Sequence, residues 1–234
     1  MNVLVLAAHP DDEVLGCGGT IIKHVERDDE ISIVILGDGI TSRYKTEELN
    51  TKKVREEVKI ITEQSKEVAK FLSVKYIKNY NDNFCVRFDT KGTLHFTHII
   101  EDEIKKLCPD IIYTHHYGDN NKDHRIVFEA LMPAVRPVGE KRISQILSFE
   151  TPSSTEWNAQ ITKNVFLPNY FVPFEKETID KKIKAMSLYS TEFRDFPHPR
   201  SSKAIESVAR YRGIMCGYEY AEAFSVVREI NDLS

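Results

Sequence analysis

Residue types that could do chemistry are concentrated at two points of this 234-residue sequence. The first is HPDDE at residues 9–13, directly after an apolar run. One imidazole and three carboxylates in five positions are costly to bury unless a positive charge lies among them. A metal ion would supply that charge. His9 and Asp12 are three residues apart across a turn that Pro10 stiffens, so both can face one point. Asp11 projects differently, which suits a base acting on metal-activated water.

The second cluster is HHYGDNNKDHR at residues 115–125, again after an apolar run. A third ligand from this cluster would complete a His/Asp/His site with an open position for water, as catalytic metal sites have. Spacing alone does not choose among His115, His116 and His124. Asp119 and Asn121 have a simpler explanation, since such residues shape polar turns and cap helices.

Three other interpretations compete for the first cluster. A single histidine at the end of a strand, such as His9, is most often structural. Asp11 and Asp12 are favourable at the start of a helix, where side chains cap exposed backbone N–H groups. The glycine-rich GCGG at residues 16–19 is similar to a dinucleotide-binding turn. Ile21, however, occupies the place of the third glycine, and carboxylates ahead of the turn would repel a pyrophosphate.

The elements that must position both clusters follow from hydrophobic periodicity. Short apolar runs predict strands at residues 3–8, 31–36, 74–77, 110–115 and 145–149. Amphipathic patterns predict helices at residues 18–26, 47–72, 98–107 and 122–135. This alternation predicts an α/β fold, a Rossmann-like, doubly wound and mostly parallel sheet with helices on both faces. Both clusters then lie at the carboxyl edge of the sheet, where such folds bind ligands.

The last third of the chain differs from the rest in composition and hydrophobic pattern. An aromatic and proline-rich stretch at residues 166–174 precedes predicted helices at 177–190 and 201–215 and a final segment at 223–230. We find no repeat or linker, so residues 1–234 are predicted to form one domain with a small C-terminal cap.

Composition excludes several classes of protein. The chain is 41% hydrophobic and 29% charged, with a net charge of −4. These values predict a globular protein without a nucleic-acid interface. No apolar run approaches the ~20 residues of a membrane span. The start lacks the pattern of a signal peptide, and four cysteines without CxxC spacing indicate reduced thiols. We therefore predict a cytoplasmic protein.

The two clusters together resemble the PIG-L/LmbE-like zinc-dependent N-deacetylases. AHPDDE at residues 8–13 and GDNNKDHR at residues 118–125 carry the resemblance. GITSR at 39–43 is similar to the family's arginine-bearing loop. HPRS at 198–201 and GYEYAEAF at 217–224 are similar to its C-terminal motifs, so the resemblance covers nearly the whole chain.

The resemblance implies roles for five residues. His9, Asp12 and His124 would bind zinc, and Asp11 would be the general base. Arg43 would contact substrate hydroxyls.

The proton donor is where the sequence departs from the family pattern. Many members have a histidine three residues before the last ligand, and Asn121 stands there instead. Asparagine donates a hydrogen bond to an oxyanion but supplies no proton. His198 and His116 are the candidates for that role. Asp123 either orients an imidazole or caps a helix. Together with His116 and Glu150, it completes the candidates for substrate contact.

The predicted function is removal of an N-acetyl group from an N-acetylglucosamine-type sugar, whether free, conjugated or nucleotide-linked. Zn²⁺ is the expected cofactor, and Fe²⁺ is the alternative because two histidines and a carboxylate suit both ions. The remaining alternatives are an amidase or esterase acting on another small acylated metabolite, and a non-catalytic ligand-binding module. The expected partner is the small acetylated sugar, and the resemblance favours a homo-oligomer.

Overall fold

The computed structural model describes residues 1–80, 88–138, 142–159, 161 and 163–231. Within these ranges the α helices are α1 (Asp12–Glu26), α2 (Lys52–Phe71), α3 (Thr93–Leu107), α4 (Lys122–Ala134), α5 (Lys176–Leu188) and α6 (Ser202–Cys216). The strands are β1 (Asn2–Ala7), β2 (Glu30–Ile35), β3 (Tyr76–Asn79), β4 (Ile111–His115), β5 (Gln145–Phe149), β6 (Tyr170–Phe174) and β7 (Tyr220–Glu229).

All seven of these strands belong to one sheet, in the order β3-β2-β1-β4-β5-β7-β6. The first five are parallel, and β7 runs antiparallel to both β5 and β6. In the centre, Leu4 of β1 pairs with Ser32 on one side and with Ile112 on the other. The predicted α/β fold with a mostly parallel sheet is confirmed.

Side chains that alternate along each strand fill two separate cores. Val3 and Val5 face a core that also contains Ile21 of α1, while Leu4 and Leu6 face a second core. The first core also takes side chains from α2, α5 and α6, and the second takes them from α3 and α4. Helices therefore cover both faces, which explains why the central strands are apolar throughout.

The glycine-rich stretch of the first cluster is part of a helix. Helix α1 begins at Asp12, before the predicted residue 18, and Cys17 interrupts its helical dihedral angles. A Cβ atom at Gly16 would lie 2.3 Å from the Phe149 ring, and one at Gly19 would lie 2.6 Å from the Phe174 ring. These glycines let α1 approach the sheet closely. The dinucleotide-binding interpretation is therefore wrong, because close packing explains the glycines.

The C-terminal third does more than cap the sheet. Strand β6 lies in the aromatic stretch for which no strand was predicted, and β7 pairs with it and with β5. Pro173 within β6 hides the strand pattern, because proline is confined to strand edges and irregular positions. In sheet order β6 is an edge strand, which tolerates the missing N–H.

Two predictions from composition concern the membrane and the cysteines. Among the described helices, none combines the length and the apolar character needed to cross a membrane. Cys17 is buried, Cys216 is half-buried and Cys108 is exposed, each as a thiol. Cys85 lies outside the described residues.

Candidate active site

The two clusters meet because their strands are neighbours. β1 ends at Ala7 and the parallel strand β4 ends at His115, so the turns that follow them lie side by side. His9, Asp12 and His124 each bring one ligand atom to a common point, with all three atoms within 4.8 Å of one another. These are the three residues that the resemblance assigns to the metal.

One oxygen of Asp12 is the centre of this group. Asp12 Oδ2 lies 3.5 Å from His9 Nδ1 and 3.3 Å from His124 Nε2. Burial lowers the pKa of each imidazole, but nearby carboxylates raise it by more than burial lowers it. Asp12 and Asp123 raise the pKa of His9 to about 9, and Asp12 and Asp119 raise that of His124 to about 10. Protonated imidazoles thus supply, beside Asp12, the positive charge that a bound cation would bring.

Each imidazole of the group has a second carboxylate behind it. His9 Nε2 lies 3.1 Å from Asp123 Oδ2, which leaves Nδ1 directed towards Asp12. His124 Nδ1 lies 3.2 Å from Asp119 Oδ1, which leaves Nε2 directed towards Asp12. Carboxylates in this position fix the tautomer and the ring orientation of metal-binding histidines. The donor set and its orientation therefore fit a divalent ion such as Zn²⁺, whose binding would displace the two protons.

Asp119 is a site residue whose role the sequence did not reveal. It is fully buried and accepts hydrogen bonds from the hydroxyls of Ser154 and Thr155 and from the Asn121 backbone N–H. Although burial raises the pKa of Asp119, His124 and these donors lower it to about 2. The available signal was its place between two histidines, but turn formation explained it equally well.

His115 lies against the cluster and is not one of its ligand residues. Its Nε2 accepts a hydrogen bond from the Ala8 backbone N–H at 2.9 Å, and its Nδ1 lies 3.2 Å from Thr151 Oγ1. Burial and the charge of His124 together lower the pKa of His115 to about 3. The His115 ring is therefore neutral. Because its lone pair already accepts from the Ala8 N–H, His115 supports the turn after β1.

Asp11 occupies the N-cap position of α1 but makes no side-chain cap. Its φ of 92° lies in the left-handed region, which costs a non-glycine residue about 1–3 kcal/mol. The buried carboxylate of Glu13 holds this conformation, since its Oε2 accepts from the Asp11 backbone N–H at 3.1 Å. The Tyr189 hydroxyl donates to the other oxygen of Glu13. In this conformation the Asp11 side chain does not cap the helix.

The side chain of Asp11 faces the pocket above the cluster. Its Oδ2 is buried and has no hydrogen-bond partner among the described residues, although Arg200 Nε lies 3.2 Å away. Burial raises the pKa of Asp11 to about 7, against the lowering effect of the Arg200 charge. A carboxylate with one open oxygen next to a metal site is suited to proton transfer.

The pocket has a cavity volume of about 290 Å³. Of the residues predicted from sequence, the cluster itself, Asp11, Arg43, Asn121 and Asp123 line it. Asn121 is the N-cap of α4, and its Oδ1 accepts from the Asp123 backbone N–H at 2.9 Å. The capping interpretation of Asn121 is therefore confirmed, and its amide also lines the pocket.

Three other candidates do not line this pocket. Glu150 forms an ion pair with Arg212, with 2.6 Å between Oε2 and Nη2. His116 Nε2 bonds to the Asn164 carbonyl, and burial lowers its pKa. His198 packs against Trp157, and its Nδ1 accepts from the Arg200 backbone N–H at 3.1 Å. His198 thus shapes the loop that carries Arg200.

Metal-assisted hydrolysis is the chemistry that this donor set, with a spare carboxylate beside it, supports on an α/β scaffold. The family model described as PIG-L: GlcNAc-PI de-N-acetylase matches residues 4–135, which include both clusters and more than half of the chain. The chain therefore belongs to the PIG-L family and is a hydrolase of the deacetylase type.

Two sequence relatives agree with this assignment, and one solved structure shares the fold. The chain is 29% identical over 204 residues to the uncharacterized deacetylase YaiS of Escherichia coli, covering 81% of this chain and 91% of YaiS. It is 26% identical over 241 residues to the diacetylchitobiose deacetylase of Thermococcus kodakarensis, covering 97% and 83%. The crystal structure of the conserved protein TT1542 from Thermus thermophilus superposes with a TM-score of 0.73 at 20% identity, covering 100% and 97%.

Proposed function

We propose that this protein is a zinc-dependent deacetylase that releases acetate from an N-acetylglucosamine-type sugar. The observation that carries the proposal is the Asp11 carboxylate, which lines the pocket without accepting a hydrogen bond at Oδ2 from any described residue, beside three converging side chains that could hold a metal ion. The family description and the diacetylchitobiose deacetylase of Thermococcus kodakarensis support a sugar of this type. A pure binding module would gain nothing from a strained carboxylate that faces the pocket and whose Oδ2 accepts no hydrogen bond among the described residues.

His9, Asp12 and His124 would hold the metal. Zn²⁺ bound there would act as a Lewis acid for amide hydrolysis. Fe²⁺ suits the same donors, and availability would decide between the two ions.

Asp11 has two jobs in the proposed reaction. As a base it takes a proton from the water that attacks the acetamide carbonyl. It then returns that proton to the sugar nitrogen when the C–N bond breaks, which gives acetate and a free amine. This assignment needs no separate histidine, which fits the position of His198 outside the pocket lining.

Asn121 is the proposed oxyanion donor. Because its Oδ1 accepts from the Asp123 backbone N–H, its amide N–H₂ remains for donation. A well-placed donor of this kind lowers the activation free energy by about 3–4 kcal/mol. Arg43, at the pocket rim, is proposed to donate to hydroxyl groups of the sugar.

The test measures acetate release from N-acetylglucosamine and N,N′-diacetylchitobiose by the zinc-loaded protein. We expect activity that chelation removes and zinc restores. Asp11→Asn should lower kcat by about 10²–10⁴-fold while the protein keeps its zinc. Asp102→Asn, an exposed carboxylate on α3, is the matched control and should leave kcat unchanged.

Three results would contradict the proposal. If the purified protein bound no stoichiometric zinc or iron, the proposed metal site would be wrong. If Asp11→Asn kept full activity, the proposed role of Asp11 as the base would be wrong. Loss of zinc in Asp11→Asn would mean that Asp11 and Asp12 have exchanged roles.

A further inference from the structure

Both arginine side chains that line the described part of the pocket are already paired with one buried carboxylate. Glu192 follows α5, and its side chain is only 4% exposed. Arg43 Nη2 lies 2.8 Å from its Oε1 and 2.7 Å from its Oε2. Arg200 Nη1 donates to Oε2 at 2.6 Å. Glu192 thus joins an arginine of the loop after β2 to an arginine that precedes α6.

Arg200 has a second carboxylate partner. Its Nε lies 3.2 Å from Asp11 Oδ2 and donates to Ser153 Oγ at 3.1 Å. The charges of Arg43 and Arg200 are therefore matched by those of Glu192 and Asp11. No net positive charge from this group remains for a ligand.

Apart from the histidines and the two arginines, the ionisable groups of the described pocket lining are carboxylates. Asp12, Asp38 and Asp123 bring its carboxylates to five, against two guanidinium groups among the described lining residues. A divalent ion on the histidine cluster would leave one net negative charge. With Asp11 ionised, as its proposed role as a base requires, protonation of Asp38, whose pKa burial raises, would bring the balance only to zero. Because charges interact more strongly in a partly enclosed site than in water, an anionic group would be repelled or at best not attracted.

An anion cannot take either arginine without breaking an ion pair. Moving one guanidinium from Glu192 to a phosphate would leave this buried carboxylate with one cation in place of two, which is unfavourable. Arginine N–H groups not directed at Glu192 can still donate to uncharged hydroxyls, because each guanidinium has five donors and, among the described residues, Arg43 donates through Nη2 alone. Ser42, Asn121 and Ser153 add neutral polar groups to the same lining.

We infer that the substrate portion entering this pocket is uncharged, and that Glu192 is the residue that determines this specificity. The inference rests on the proposed deacetylase function and narrows it to neutral sugars over phosphorylated or nucleotide-linked ones. Glu192 acts through Arg43 and Arg200, whose charge it cancels while leaving their hydrogen-bond donors in place.

The experiment compares kcat/KM for N-acetylglucosamine with kcat/KM for its 1-phosphate and its 6-phosphate. Zinc-loaded wild-type protein should prefer the neutral sugar by about tenfold or more. Glu192→Gln keeps the shape and the acceptor oxygen but frees one positive charge, so it should reduce this preference by about tenfold. Glu206→Gln on α6 removes the same charge from the exposed pair with Arg210 and should leave the ratio unchanged.

A second measurement needs no variant. Added salt screens charge repulsion, so raising the salt from about 0.05 M to about 0.5 M should raise the relative kcat/KM of the phosphates. An attractive pocket would show the opposite trend. Wild-type preference for a phosphate, or a ratio that Glu192→Gln leaves unchanged in a folded, zinc-loaded protein, would overturn the inference.

Failure of the proposed function is distinguishable from failure of this inference. If no sugar releases acetate, calorimetry with N-acetylglucosamine and N-acetylglucosamine 6-phosphate on the zinc-loaded protein still ranks neutral against anionic ligands. Tighter binding of N-acetylglucosamine, with a smaller difference in Glu192→Gln, would support the inference. Equal or tighter binding of the phosphate, or no binding of either sugar, would overturn it.

Discussion

Removing one partner of the buried Lys182–Glu222 ion pair should destabilise the protein strongly. Both side chains are 6% exposed, and Lys182 Nζ lies 2.6 Å from Glu222 Oε1. Glu222 also accepts from the backbone N–H groups of Gly19 and Thr20 at 2.8 and 2.7 Å, while Lys182 donates to the Leu15 carbonyl at 2.9 Å. The pair therefore bridges the interruption of α1, satisfying carbonyl and N–H groups on its two sides.

The perturbation is Lys182→Met, which keeps most of the side-chain volume and removes the charge. Glu222 is then a buried carboxylate without its cation, and breaking a buried pair in this way costs about 3–5 kcal/mol. For a protein of this size, each kcal/mol corresponds to roughly 2–4 °C in Tm. We therefore expect Tm to fall by about 6–20 °C.

Differential scanning calorimetry at neutral pH measures the change, and urea unfolding gives the free energy directly. Lys176→Met is the matched control, because Lys176 pairs with Asp180 on the exposed side of the neighbouring turn and should leave Tm nearly unchanged. The double variant Lys182→Met/Glu222→Gln should recover about 1–2 kcal/mol of the loss, since no unpaired charge remains. If Lys182→Met behaved like Lys176→Met, or if the double variant recovered nothing, the argument about the buried charge would be refuted.

Two further predictions concern packing and pH. Gly16→Ala should cost about 1–3 kcal/mol of unfolding free energy, because its Cβ would lie 2.3 Å from the Phe149 ring; Phe149→Leu in the same chain should restore part of the loss in urea unfolding. His24 is buried, with its ring nitrogens 2.7 Å from Asp29 and 2.9 Å from Tyr113, and burial lowers its pKa below 6.5 although Asp29 opposes this. The unfolded chain then binds the proton more readily than the folded protein. The free energy of unfolding should therefore fall as the pH drops through the pKa that His24 has in the unfolded chain. In urea unfolding, the difference in this free energy between about pH 7.5 and about pH 5.5 should be smaller in His24→Gln than in the wild-type protein. An equal difference in the two proteins would contradict this.

Much of the fold could be predicted from the sequence, because periodicity reports directly on burial. The predicted strand 145–149 coincides with β5, and the predicted helix 122–135 differs from α4 by one residue. The misses lie where local signals are overridden. The start of α1 was missed because the strained Asp11 and the following glycines do not resemble a helix start. Strand β6 was missed because Pro173 breaks its pattern and long-range pairing with β7 supplies the strand's stability.

The sequence by itself determined that two clusters of chemical groups follow apolar strands. It also determined that His9 and Asp12 belong to one of them. Parallel strands end at the same sheet edge, so this much follows from chain direction alone.

Only the tertiary structure showed what separates the histidines of the second cluster. His115 uses its lone pair on the Ala8 N–H, whereas His124 is directed to Asp12 by Asp119. Likewise, Glu192 meets Arg43 across 149 positions of sequence. Hydrogen-bond partners and charge compensation depend on which distant groups fold into contact, and no local spacing encodes that contact.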